Sequence, residues 1–219
     1  MKKINSKTVK KLVTSYSYDE LVEYANSQWK GAIEGWFTLF KFRIDNKHEM
    51  HQTSLTALRH QLISAGALSG LCESNRSLLV TKNYFEYIYK NKKQPYGLFV
   101  KEHSNTRNRI LDKLECIYKN YGIQKVKEKF LEVVYKYGYY ITMMKFENND
   151  KEEKKNTNSC LSAIMKSNPN MKFFEAYELA KVSTLCYITV EQPTEEIVPN
   201  LVPWKDIPKW LQKHGRGIL

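Results

Sequence analysis

The sequence predicts a mainly α-helical protein: a helical bundle with a short β or extended segment near residues 138–146 and a small helical C-terminal unit. Apolar residues recur at intervals of three and four along most of the 219 residues, the spacing that places them on one side of a helix. The run YKYGYYITMMKF interrupts this pattern. Gly138 ends the helix there, and the aromatic and β-branched residues that follow favour a strand.

The first predicted helix begins at Ser17. The Ser17 hydroxyl can cap the helix, and Glu20, three residues later, can return the hydrogen bond. One stripe of this helix is apolar and predicts a core face rather than a ligand site. Its members are Val22, Trp29, Ile33, Trp36 and Phe40.

Two further helices are predicted over 54–71 and 77–90, joined by the short polar segment GLCESNRS. Arg76 and Lys82 stand near the start of the second of these helices. One interpretation is a DNA-binding helix-turn-helix, in which the second helix enters a major groove. The other interpretation is an ordinary helical hairpin, because short connections between helices are common.

Helices over 105–121 and 123–137 follow, with Gly122 between them as a C-cap. Each has an apolar stripe predicted to face inward: Ile110, Leu114, Ile117 and Tyr121 in the first, and Val126, Phe130, Val133 and Tyr137 in the second. A row of lysines flanks the second stripe, with only Glu132 interrupting it. If the pair folds as an antiparallel hairpin, the basic flanks of both helices merge into one positive surface.

We predict three regions along the chain. Residues 1–146 form the main helical body with the basic face, and 147–159, which contain no apolar residue, form a charged loop or linker. Residues 160–219 form a small helical unit with a tail in which prolines prevent a long helix. Trp204 and Trp210 in this tail either pack onto the body or dock a protein partner.

Charge and tyrosine content point to the class of partner. The net charge is +12, and the window 82–145 holds fourteen Lys or Arg against six Asp or Glu, together with ten of the fifteen tyrosines. Cations interleaved with flat rings suit a phosphate backbone and exposed bases. A competing explanation is nucleotide bias, because the codons of Lys, Asn, Tyr and Ile are rich in A and T. The predicted nucleic-acid-binding residues are Arg107, Arg109, Lys113, Lys125, Lys127, Lys129, Lys136, Tyr139 and Tyr140.

No catalytic motif is present. The run His48-Glu49-Met50-His51 departs from the zincin motif, because its histidines are three residues apart instead of four. A metal-dependent site that also uses His60 is the weaker alternative. The sequence has no P-loop, no G-x-G-x-x-G and no G-x-S-x-G, and the four cysteines include no C-x-x-C pair. We therefore predict no catalytic residue, no metal and no cofactor.

These observations predict a cytoplasmic, non-enzymatic nucleic-acid-binding protein. We expect DNA rather than RNA, no membrane association, and a role as an accessory factor of a phage or other mobile element. The alternative is a protein-interaction module, an adaptor or inhibitor that places its basic face on an acidic protein partner.

Overall fold

The computed structural model of the protein describes residues 17–75, 79–91, 97–103, 107–148, 164, 167–168, 171–180, 182–191 and 196–219. These residues are mainly helical, as predicted, and include a five-stranded mixed sheet. They form two compact units. The helical unit contains 17–75, 107–139 and Leu219, and the sheet unit contains the described residues of 79–103 and 140–218. No helix in these ranges is long and apolar enough to cross a bilayer.

The helical unit begins with the predicted capping box. Helix α1 spans Tyr18–Tyr24. The amide of Glu20 donates to the Ser17 hydroxyl at 3.2 Å, and the amide of Ser17 donates to the Glu20 carboxylate at 2.7 Å. A π-helical turn at Ala25–Trp29 joins α1 to helix α2, Lys30–Asp45. The reciprocal hydrogen bonds fix the residue at which the helix begins.

The predicted helix 54–71 is two helices in the structure. Helix α3 spans Gln52–Ser64 and helix α4 spans Ala67–Ser74. Ala65 is extended between them, and Gly66 has a φ of 74°, a left-handed conformation that glycine adopts without strain. The apolar spacing continues across this break, so periodicity alone predicts one helix where there are two.

The predicted helix 77–90 is a strand followed by a helix. Strand β1 spans Leu79–Thr81, helix α5 spans Lys82–Asn91, and strand β2 spans Phe99–His103. All three residues of β1 are buried, because this short strand lies in the middle of the sheet. The helix-turn-helix interpretation is therefore wrong, since a strand precedes α5 where that motif needs only a turn.

Helix α6 spans Arg107–Tyr137 and is broken at Gly122, where φ is 77° and ψ is −178°. Its two halves fold back on each other. The distance of 5.3 Å from Lys113 Nζ to the centroid of the Tyr137 ring shows this. In a straight helix these two residues would be about 36 Å apart. We call this element the α6 hairpin; it is the predicted pair of helices with its break at the predicted glycine.

The core of the helical unit is aromatic. Trp36 stacks on Phe40 with ring centroids 4.9 Å apart and contacts Phe130 of the α6 hairpin at 4.8 Å. The Trp36 indole nitrogen donates to the Leu62 carbonyl at 3.0 Å, which satisfies a buried polar atom. The predicted inward positions of the α6 hairpin that are buried are Ile110, Leu114, Val126, Phe130 and Val133.

The remaining elements build the sheet unit. The strand predicted near 138–146 is β3, Tyr140–Met144, and the short helix α7, Lys145–Asn148, follows it. The sheet order is β2-β3-β1-β4-β5, with β1 parallel to β3 and all other pairs antiparallel. The later elements are helix α8 Phe173–Leu179, strand β4 Leu185–Glu191, strand β5 Glu196–Val202 and helix α9 Ile207–Lys213.

The C-terminal part is less helical than predicted. Strands β4 and β5 pair along seven residues each, and β4 also pairs with β1. The run LCYITV in β4 consists largely of residues that favour strands. Pro199 lies in β5 at the edge of the sheet, where a residue without an amide hydrogen is tolerated. Proline thus excludes a long helix here, as expected, but it permits an edge strand.

The two compact units differ from the predicted division at residues 146 and 160. Strand β3 and strands β4 and β5 lie on opposite sides of the predicted linker, yet they belong to one sheet. Glu147, the first residue of that linker, accepts hydrogen bonds from Thr81, Asn83, Met144 and Ser183. Residues 149–159 lie outside the described residues.

Candidate nucleic-acid interface

The α6 hairpin carries all seven cations that the sequence predicts to bind nucleic acid. The helices on either side of Gly122 bring two of these lysines to the ring of Tyr137, a residue that the sequence predicts to face inward. Lys113 Nζ lies 5.3 Å from the Tyr137 ring centroid, and Lys136 Nζ lies 5.6 Å from the same centroid. We call Lys113, Lys136 and Tyr137 the Tyr137 cluster. One cation comes from each half of the hairpin, and a single positive surface along both flanks stays a prediction.

The two ammonium groups of the Tyr137 cluster reinforce each other electrostatically. Their distances to one ring place them within about 11 Å of each other, close to the Debye length of about 8–10 Å at physiological salt. Within the described parts of the chain, no carboxylate lies within ion-pair distance of either group. The ring attracts both cations through its quadrupole. Their charges are therefore held near each other without an ion-pair partner among the described residues.

Three other predicted lysines form ion pairs. Lys125 pairs with Glu128 at 2.9 Å, Lys129 with Glu132 at 2.6 Å, and Lys127 with Glu34 of α2 at 3.6 Å. The hydrogen bond that Lys129 donates to the Glu132 carboxylate raises the pKa of Lys129 above its ordinary value, so this lysine stays charged. The three carboxylates reduce the net charge along the lysine row of the second half of the hairpin. The sequence indicated this effect only for Glu132.

The two predicted arginines are hydrogen bonded within the helical unit. Arg107 donates to the Ser69 hydroxyl, and Arg109 donates to the main-chain oxygen of Leu219 at 2.9 Å. Both side chains are half-buried. Each guanidinium thus donates to a protein oxygen, and because it has five N–H donors, phosphate contact by the two arginines stays a prediction.

The two predicted tyrosines do not offer a surface for base stacking. Tyr139 is 0% exposed and Tyr140 is 2% exposed, so their ring faces are covered by protein. Tyr140 also belongs to strand β3 of the sheet unit. The prediction of base stacking by these two residues is therefore wrong: Tyr140 lies in β3 and Tyr139 directly precedes it, and both rings contribute apolar area to buried regions.

Sequence reasoning missed the most exposed large aromatic residue of the described structure. Tyr121 is 72% exposed, although its spacing from Ile110, Leu114 and Ile117 predicts an inward position. It is the last residue before Gly122, so it lies where the first half of the hairpin ends. The glycine after it was the available signal, since a residue next to a turn can extend beyond the core.

Two of the three histidines in the weaker metal-site hypothesis make other contacts. His51 is the N-cap of α3, and its Nδ1 accepts the Thr53 amide at 3.3 Å. His60 Nε2 lies 3.3 Å from the Ser64 hydroxyl. Among the residues whose placement is described, no three His, Cys, Asp or Glu side chains are grouped as metal ligands. The arrangement thus gives no support to a site at His48, His51 and His60.

The tryptophans of the tail pack within the sheet unit. The Trp204 ring contacts Tyr177 at 5.8 Å. The Trp210 ring stacks on His214 at 3.9 Å and contacts Tyr187 at 5.5 Å. These aromatic neighbours all belong to residues 160–219, the region predicted as the small C-terminal unit. Packing of the tail onto the predicted body and docking of a protein partner both stay predictions.

No protein-family model, curated protein or solved structure shows significant similarity to this chain.

Proposed function

We propose that this protein binds nucleic acid, without catalysing a reaction, through phosphate contacts from the lysines of the α6 hairpin. One observation carries the proposal: Lys113 and Lys136, from the two halves of the hairpin, converge on the Tyr137 ring. Two cations held this close attract a polyanion more strongly than isolated surface lysines do, because phosphates displace the counterions that the pair would otherwise collect.

The ion-paired lysines are compatible with this function. Lys125, Lys127 and Lys129 and their glutamate partners are well exposed to solvent. Exposed ion pairs of this kind contribute about 0–1 kcal/mol each. A phosphate can therefore replace a carboxylate at these lysines at small cost, and the row can extend the contact that begins at the Tyr137 cluster.

Charge reversal in the Tyr137 cluster tests the proposal. We expect the double variant Lys113→Glu and Lys136→Glu to lose binding to a mixed-sequence oligonucleotide at low salt, measured by fluorescence anisotropy. The matched control is Lys30→Glu with Lys47→Glu, which makes the same change of charge at two exposed lysines of the helical unit outside the hairpin. Retained binding in the control and loss in the cluster variant support the proposal. Equal binding by both variants would contradict it.

A second experiment separates nucleic acid from an acidic protein partner. The protein is purified at low salt, and the 260/280 nm absorbance ratio is measured before and after a high-salt wash. Co-purifying nucleic acid that salt removes supports the proposal. If a partner instead survives nuclease treatment in a pull-down, the protein is an adaptor or inhibitor acting through its basic face.

A further inference from the structure

The α6 hairpin presents one aromatic ring to solvent. Tyr121 is 72% exposed at the end of the first half of the hairpin. Within the described part of the chain, its ring contacts no other aromatic ring and no cation. A tyrosine that serves as the rim of a core keeps most of its ring buried, and Tyr121 does not.

Lysines flank Tyr121 along the chain. Lys119 is exposed two residues before it, and Lys125 follows four residues after it across Gly122. Lys113 of the Tyr137 cluster precedes it by eight residues on the same half of the hairpin, about 12 Å along the helix axis. A nucleic-acid strand in a small binding site covers about 4–16 nucleotides. Such a strand is long enough to reach both the proposed phosphate contacts at the Tyr137 cluster and the Tyr121 ring.

We infer that Tyr121 stacks on an unpaired base, so that the nucleic acid bound by the α6 hairpin is single-stranded. The inference rests on the proposed function and adds the class of strand. In a duplex both faces of a base are covered by its neighbours, and a ring at the tip of a hairpin has no base face to contact. In a single strand the bases are accessible, and stacking on an aromatic side chain tolerates any sequence.

The test compares three probes: an oligothymidylate of about twenty nucleotides, an abasic strand of the same length, and a duplex of that length. We expect Tyr121→Ala to weaken oligothymidylate binding about 5- to 150-fold, the range that corresponds to loss of one stacked base. Tyr121→Phe keeps the ring and is expected to bind as the unchanged protein does. Binding to the abasic strand is expected to be the same for Tyr121→Ala and the unchanged protein, because phosphate contacts remain.

Phe42→Ala is the matched control. Phe42 is 50% exposed on α2 of the same unit, so this variant removes another exposed ring without touching the hairpin. Unchanged affinity of Tyr121→Ala for oligothymidylate, while charge reversal at Lys113 and Lys136 still abolishes binding, would overturn the stacking inference alone. Absence of binding to every probe by the unchanged protein would overturn the proposed function together with it.

Discussion

The guanidinium of Arg43 lies 2.5 Å from the carboxylate of Glu115, and both side chains are largely removed from solvent. Arg59 joins the same carboxylate at 3.4 Å and reaches Asp112 at 2.7 Å. Two arginines from α2 and α3 thus bind two acids of the α6 hairpin. This network fixes the half of the hairpin that carries Lys113, so the stability of the interface depends on it.

Removing the buried acid of this network is expected to destabilise the protein strongly. Glu115→Ala leaves the Arg43 charge buried without its partner, and breaking such a pair costs about 3–5 kcal/mol. Asp112→Ala removes the exposed end of the network and is expected to cost about 1 kcal/mol or less. Urea denaturation followed by circular dichroism measures both losses. Equal free energies of unfolding for the two variants would contradict the burial argument.

Gly70 is expected to resist substitution because of Trp29. A Cβ at residue 70 would lie 2.1 Å from the Trp29 ring. Gly70→Ala should therefore lower the free energy of unfolding by about 1–3 kcal/mol through overpacking. Gly35→Ala is the matched control, because a Cβ there meets nothing within 4 Å in α2. We expect this control to gain about 0.5–1 kcal/mol from helix propensity. A Gly70→Ala protein as stable as the control would show that the ring moves freely.

Glu147 is expected to stabilise the sheet unit. One carboxylate oxygen accepts from the Thr81 hydroxyl at 2.6 Å and the Met144 amide at 2.9 Å, and the other accepts from Asn83 at 3.0 Å and from Ser183. Glu147→Gln places an amide nitrogen, which cannot accept, against one pair of donors, with an expected loss of about 1–3 kcal/mol.

The control for Glu147 is Glu86→Gln on the exposed surface of α5, where the Glu86 carboxylate lies 3.6 Å from the ammonium of Lys82. We expect a change of at most about 0.5 kcal/mol there. Both variants are measured by chemical denaturation. Indistinguishable midpoints would mean that the hydrogen bonds to Glu147 contribute little to stability.

Thiol reactivity should follow burial. Burial raises the pKa of Cys72 to about 12 and that of Cys186 to about 12, so neither forms appreciable thiolate near neutral pH. Cys116 is exposed on the α6 hairpin. We expect iodoacetamide to label Cys116 in the folded protein, and Cys72 and Cys186 only in denaturant, as read by peptide mapping. Labelling of Cys72 as fast as Cys116 would contradict the buried position.

Local signals were sufficient for part of this fold. The capping box at Ser17 and the break at Gly122 depend on residues a few positions apart, and the sequence predicted both. Strand β1 depends on partners far along the chain: Val80 pairs with Thr142 and with Cys186. Three residues of strand carry too little periodicity to outweigh the helical pattern around them, so the sequence predicted helix there.

The candidate site was also only partly predictable from local sequence spacing. The alignment of lysines along the α6 hairpin follows from helical spacing, and the structure brings Lys113 and Lys136 to one ring. The pairing of Lys127 with Glu34 depends on how α2 packs, which spacing does not reveal. Exposure was predicted in the wrong places for the tyrosines, because helical phase does not show where the core ends. Tyr139 is buried and Tyr121 is exposed.

The salt dependence of binding tests the central claim most directly, namely that Lys113 and Lys136 contact phosphates. The association constant of the unchanged protein and of the double variant Lys113→Ala and Lys136→Ala is measured against salt concentration. Loss of two contacts is expected to reduce the slope of log K against log salt by about 1.4–1.8, whereas Lys30→Ala with Lys47→Ala should leave the slope unchanged. Equal slopes for the unchanged protein and the Lys113 and Lys136 variant would contradict the account.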